Sequence, residues 1–130
     1  MGMTKKIKWE KEKLLKMMEK ERGYMFPTWV FLADKDVEFL KAYNAVYQRG
    51  FNKGKALEAK TREFVAMAIL AYRGRTEAVY EHAKRALRLG ATKAELLEVF
   101  ETAMLPGGAP TLTTGLQALM RIESEEKQNK

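Results

Sequence analysis

Apolar residues recur along this chain at spacings of three and four, and no stretch alternates regularly between apolar and polar. That spacing marks one face of a helix, so the expected fold is all-α. Thr4 opens a first helix that runs to about Arg22 and stops at Gly23, with Ile7, Trp9, Leu14, Met17 and Met18 as a thin apolar stripe. A stripe that modest needs a surface to lie on, in its own subunit or in another chain. Pro27 suits the first turn of a short helix over 28–33, and Asp34 is the expected cap of the next, over 35–48. The broad apolar face of that helix comprises Val37, Phe39, Leu40, Tyr43, Val46 and Tyr47.

Gly50 and the Asn-Lys-Gly at 52–54 break the chain, and a central pair of helices follows. The first begins at Leu57 or Glu58 and carries the uninterrupted apolar run Phe64 to Tyr72, which predicts a helix enclosed on all sides. Gly74 ends it, and the second runs from Arg75 to Leu89. Thr92-Lys-Ala-Glu95 reads as a capping box for a helix reaching about Met104. Leu105-Pro-Gly-Gly-Ala-Pro110 reads as a sharp connector, and a last helix spans 111–122 before a polar tail. The organisation expected is a charged N-terminal helix over 1–26, a helical domain of about six helices over 27–125, and a tail over 126–130.

Composition narrows the chemistry. The chain has 130 residues, no cysteine and one histidine. Zero cysteines exclude disulfides, thiolate metal sites and thiol nucleophiles, and one histidine excludes a multi-histidine metal cluster. No EF-hand-like spacing is present, and neither a metal nor a cofactor is expected. No secretory leader pattern or spanning segment is recognisable, so a cytoplasmic protein with no membrane role is expected. Abundant Lys and Glu with sparse Asn and Gln lean towards a thermophile.

The net charge of +7 invites a nucleic-acid reading, but its distribution opposes one. Between Thr4 and Arg22 there are eight basic and four acidic residues, interleaved so that Lys8, Glu12 and Lys16 stand four apart. That is the pattern of a solvated helix, and no aromatic stacking platform accompanies it. Lys53, Lys55 and Lys60 could line an entrance, but a solvated turn is the better reading of them.

Candidate chemistry concentrates in the central helix pair. Glu63 stands directly before the apolar run, and His82 lies on the apolar face of the following helix. An isolated buried carboxylate is costly, so Glu63 needs a cationic partner, with His82 and Arg75 the candidates. Arg75, Ala78, Val79 and His82 share one side of their helix, with Arg75 and His82 about 10 Å apart along the axis. A guanidinium, a small gap at Ala78 and an imidazole suit a small anionic ligand. The competing reading joins Glu63 to Arg75 as a structural ion pair and makes His82 a hydrogen-bonded core residue.

The run from Leu57 to Pro110 resembles the carboxymuconolactone decarboxylase family, which includes the AhpD-like alkylhydroperoxidases. The resemblance rests on KTRE at 60–63, Gly74, histidine eight residues later, LGAT-x-x-E at 89–95 and G-x-P at 108–110, within about Asp36 to Ala118. It implies an all-α fold and homo-oligomers, trimers or hexamers, with Glu63 and His82 at the positions of a proton relay. The hydroperoxidase branch carries Cys-x-x-Cys where Arg75 and Ala78 stand here, and disulfide cycling requires a thiolate. The decarboxylase branch shares Gly-Arg at 74–75. It commonly has a carboxylate where Ala78 stands, a histidine at Thr102 and a tyrosine at Pro106. Glu77 points about 100° away from Ala78 and replaces that carboxylate poorly.

Two expectations follow. One is a cofactor-free lyase on a small carboxylate or lactone, with Glu63 orienting His82 as proton donor and Arg75 anchoring the anion. The other is a catalytically inactive oligomeric binding or scaffold member of the family. A weaker third is an anionic-surface binder using the N-terminal helix.

Overall fold

The computed structural model describes residues 2–52, 54 and 56–129, with the backbone alone at residues 2 and 3. Among these residues every regular element is a helix, and there are seven. The chain divides into two compact units, Met1–Lys53 and Gly54–Lys130. Within the first unit, the first helix packs on the second and the third.

The first unit contains α1 (Gly2–Arg22), α2 (Pro27–Lys35) and α3 (Val37–Phe51). Leu14 and Met18 of α1 meet Ala33 of α2 and Leu40 of α3 in a small core, with Trp29 and Tyr43 packed against it. Arg22 is 1% exposed, and its guanidinium lies 3.9 Å from the centre of the Tyr47 ring while donating to Asn44 Oδ1 at 3.0 Å. Buried arginine on an aromatic face is a favourable use of a planar cation. The expected cap at Asp34 is displaced. α2 continues to Lys35, Asp36 accepts from the Phe39 backbone N–H at 3.0 Å, and Asp34 instead pairs with Lys11.

The second unit contains α4 (Ala59–Tyr72), α5 (Thr76–Arg88), α6 (Lys93–Gly107) and α7 (Ala109–Gln128). Its core gathers Met67 and Ala71 of α4, Val79, Ala83 and Ala86 of α5, Leu96 and Phe100 of α6, and Ala118 and Ile122 of α7. The capping box at α6 is formed. The Glu95 backbone N–H donates to Thr92 Oγ1 at 3.0 Å, and the Thr92 N–H donates to Glu95 Oε1 at 2.9 Å. Gly115 lets α7 approach the Phe100 ring so closely that an added Cβ would collide with it.

Two expectations are corrected here. The sharp connector expected over 105–110 narrows to a single residue. α6 runs through Pro106 to Gly107, and the chain turns only at Gly108, whose φ of +90° requires glycine. Pro110 then lies in the first turn of α7, where its missing N–H costs nothing. α7 also continues past Ile122 to Gln128, because Glu125 accepts from Tyr80 and Arg121 and so ties the polar segment down.

The apolar run on α4 is likewise not enclosed by this chain. Glu63, Met67 and Ala71 form its buried edge, whereas Val65, Ile69 and Tyr72 are 51%, 55% and 68% exposed. Residues spaced by four on one side are covered by α5, α6 and α7, which leaves the opposite side of the cylinder bare.

Candidate relay between α4 and α5

Glu63 is carried on the second turn of α4, on the side turned towards α5, and is 1% exposed. His82 lies in the middle of α5, one turn beyond Val79, and is 8% exposed. The two side chains meet, with His82 Nδ1 2.6 Å from Glu63 Oε2. A contact this short between a ring nitrogen and a carboxylate is charge-assisted, and it fixes the tautomer with the proton on Nδ1.

The other Glu63 oxygen is occupied by a residue absent from the expected set. Arg85 Nε lies 3.2 Å from Glu63 Oε1, and Arg85 is 8% exposed. The nitrogen is off the line of a hydrogen bond to Oε1, so this contact is an ion pair. The pairing of Glu63 with Arg75 is therefore corrected, because Arg85 supplies the cation. Its signal was present in the spacing. Arg85 follows His82 by three residues, and the helical turn that faces His82 inward carries Arg85 to the same carboxylate.

Arg75 stands at the N-cap of α5, exposed, and Ala78 is half-buried within the first turn. An N-cap is the positive end of the helix dipole, where a guanidinium adds to the field rather than being neutralised by it. Thr102 and Pro106, where the resemblance looks for a histidine and a tyrosine, lie on α6 along a groove on the far side of α4.

A second buried carboxylate stands next to His82 in the sequence of α5. Glu81 is 7% exposed, and its Oε2 has no hydrogen bond. Burial pushes its carboxyl above the ordinary range, and Glu77 adds to this, while Lys84, Arg121 and Arg88 pull the other way. Beyond it, the Tyr80 hydroxyl donates to Glu125 at 2.6 Å, and the Arg121 guanidinium covers the Tyr80 ring at 3.6 Å. Burial first, and the bond to Glu125 second, raise the Tyr80 hydroxyl above its usual value.

A sizeable groove lies elsewhere. About 630 Å³ in volume, it runs between α4 and α6, lined by Phe64, Val65, Ala68, Val99, Ala103 and Leu105 among others, and includes none of Glu63, Arg75, Ala78 or His82. Lys60, at the start of α4, pairs with Glu95 at 3.3 Å. Lys53 and Lys55, its suggested companions at an entrance, lie outside the described residues. Among the described residues no group of three His, Cys, Asp or Glu is arranged to hold a metal ion. No described helix is long and apolar enough to cross a membrane.

Comparison with known proteins agrees with this architecture. An uncharacterized protein of Methanocaldococcus jannaschii is 26% identical over 89 residues, covering 68% of this chain and 82% of its own length. A second protein of that organism, also uncharacterized, is 33% identical over 70 residues, covering 53% of this chain and 67% of its own. The crystal structure of a Burkholderia xenovorans LB400 protein provisionally assigned as a carboxymuconolactone decarboxylase superposes with a TM-score of 0.78. It covers 95% of this chain and 98% of that one at 18% identity, a likeness of fold. The sequence model of the carboxymuconolactone decarboxylase family matches residues 38–120, which include both Glu63 and His82, and the chain belongs to that family.

Proposed function

We propose that this protein is a cofactor-free lyase, or a closely related enzyme, acting on a small carboxylate or lactone, with Glu63 and His82 as its proton relay. The observation that carries the reading is the buried 2.6 Å contact between His82 Nδ1 and Glu63 Oε2. With Nδ1 committed to the carboxylate, Nε2 is the ring atom that exchanges a proton with the substrate. In a decarboxylation the C–C bond to the carboxylate breaks, CO₂ leaves, and the electron pair passes into a conjugated carbonyl. The carbon that held the carboxylate then takes a proton that Nε2 has first drawn from solvent, since the Nδ1 proton stays with Glu63. Arg75, at the positive end of α5, anchors a remote carboxylate or the electron-accepting carbonyl. Held on the departing carboxylate instead, it would stabilise the ground state and slow the step. A thiol peroxidase mechanism has no nucleophile here, because the chain contains no cysteine.

We read the assembled form as a homotrimer or homohexamer. Support comes from the bare side of α4, where Val65, Ile69 and Tyr72 lie beside Leu105, itself 79% exposed. The groove that Ile69 and Tyr72 line with Ala68, Ala103, Pro106 and Gly107 has no charged residue in its lining, so copies can meet over it without burying a charge. The second reading, a non-catalytic oligomeric binding member of the family, draws its support from the groove of about 630 Å³ between α4 and α6, which stands apart from the relay.

The test is a thermal-shift screen of small carboxylic acids and lactones, since a ligand specific to the folded state raises Tm by mass action. Compounds that shift Tm are then assayed for CO₂ release or lactone turnover with the parent and with His82→Ala. Turnover by the parent that His82→Ala loses is the expected result. Full turnover by His82→Ala removes His82 from the chemistry.

A further inference from the structure

We propose that Arg85 is a positioning residue for the relay: it cancels the charge of Glu63, so that the buried imidazole rests neutral with its proton on Nδ1. The inference rests on the reading of Glu63 and His82 as a proton relay, and concerns the form in which that relay waits for substrate.

The argument begins with the two oxygens of one carboxylate. Oε2 receives His82 Nδ1 at 2.6 Å, and Oε1 faces Arg85 Nε at 3.2 Å. The two partners are separated by three residues on α5, so a single helical turn presents both to Glu63. All three side chains are at least nine-tenths buried. In such surroundings an uncompensated charge is expensive, and a group of ionisable residues settles where its charges cancel.

Glu63 and His82 alone would be balanced as carboxylate and imidazolium. With Arg85 present, the balanced set is guanidinium, carboxylate and neutral imidazole, and protonating the ring would leave a net positive charge inside the protein. Arg85 thereby converts His82 from a resting acid into a resting base. The ring takes a proton from solvent at Nε2 before it delivers that proton to the substrate carbon, with Glu63 stabilising the imidazolium while it exists. The other charged residues close to these on the two helices are Arg62 on α4 and Glu81, Lys84 and Arg88 on α5. On α7, Arg121 is paired with Glu77 and Glu125, and on α6, Glu95 is paired with Lys60.

The chain contains a single histidine, so its ring nitrogens give one unambiguous set of signals in a long-range ¹H–¹⁵N spectrum of the full ¹⁵N-labelled protein. Near neutral pH the parent is expected to show Nδ1 protonated and Nε2 in the unprotonated, pyridine-like position. In Arg85→Gln, which removes the charge and keeps a polar side chain, the Nε2 signal is expected to move to the protonated position at the same pH. Arg85→Lys, which restores the charge, is expected to return it towards the parent pattern. A purely structural role for Arg85 would change folding without this Lys-rescued change of protonation. Should Arg85→Gln fail to fold, the parent spectrum decides alone, because an imidazolium or an Nε2–H tautomer there overturns the proposal. So does an Arg85→Gln spectrum identical to the parent's. None of these readings needs a substrate, so failure of the lyase assignment and failure of this inference are told apart.

Discussion

Glu63 and His82 meet at 2.6 Å although 19 residues separate them in the chain, and the carboxylate between α4 and α5 is almost completely enclosed. A buried carboxylate held in this way carries structural as well as chemical weight. Glu63→Gln keeps the shape and removes the charge, leaving Arg85 as a buried cation that has lost its carboxylate. Breaking a buried pair from one side costs about 3–5 kcal/mol, and that is the expected loss in urea unfolding followed by helical circular dichroism. Both tryptophans, Trp9 and Trp29, belong to the first unit, so their fluorescence follows α1–α3 while the dichroism follows every helix. Adding Arg85→Met to Glu63→Gln removes the orphaned charge as well and is expected to recover much of the loss. No recovery would mean that the pair is not coupled.

Glu81 gives a pH-dependent counterpart. Burial raises its carboxyl above the ordinary value of 4.5 in the folded chain, so the folded state holds this proton more tightly than the unfolded state does. The contribution of Glu81 is therefore most favourable below the unfolded value, and it declines as pH rises through the folded one. Glu125 and Glu95 are shifted downward, Glu125 chiefly by the Tyr80 hydroxyl and Glu95 chiefly by the Thr92 backbone N–H. Their contributions run in the opposite sense, so the absolute stability profile is a sum of both. The difference between parent and Glu81→Gln isolates the one group. That difference is expected to turn in favour of Glu81→Gln as pH rises above the unfolded value of 4.5. A difference that stays flat above that value would show that Glu81 is not desolvated.

The helical order of the chain was legible in its spacing, as were the capping box at Thr92 and the burial of His82, because each depends on residues within a turn or two of one another. What escaped depends on neighbours far along the chain. Pro106 looked like a breaker, yet α6 passes through it and turns only where Gly108 takes a positive φ. The place of Glu63 before the apolar run calls for a cation, with His82 and Arg75 as the candidates, and does not single out Arg85. Arg75 shares a helix side with His82, whereas the direction in which Glu63 approaches α5 favours the residue one turn beyond it. The α4 run looked enclosed because its sequence is apolar on every side, and only the packing reveals that this chain covers one side of it.

That uncovered side supplies the last expectation. Val65, Ile69 and Tyr72 share one side of α4, opposite Glu63, Met67 and Ala71, so a change there is separated from the relay by the width of the helix. Ile69 is 55% exposed in the single chain, and an exposed substitution away from special features alters stability within about 0.5 kcal/mol. If a second copy covers this face, Ile69→Asp places a carboxylate inside an apolar contact in every copy, where it finds no cation in the groove lining. The expected result is a parent that sediments as a trimer or hexamer and an Ile69→Asp variant that sediments as a single chain with unchanged helical dichroism. Light scattering at matched concentrations checks the masses independently. A parent that is itself a single chain, or an Ile69→Asp variant that keeps the parent's mass, would remove this side of α4 from the assembly. The apolar run would then lack a partner, although a helix apolar all round is stable in water only when it is enclosed.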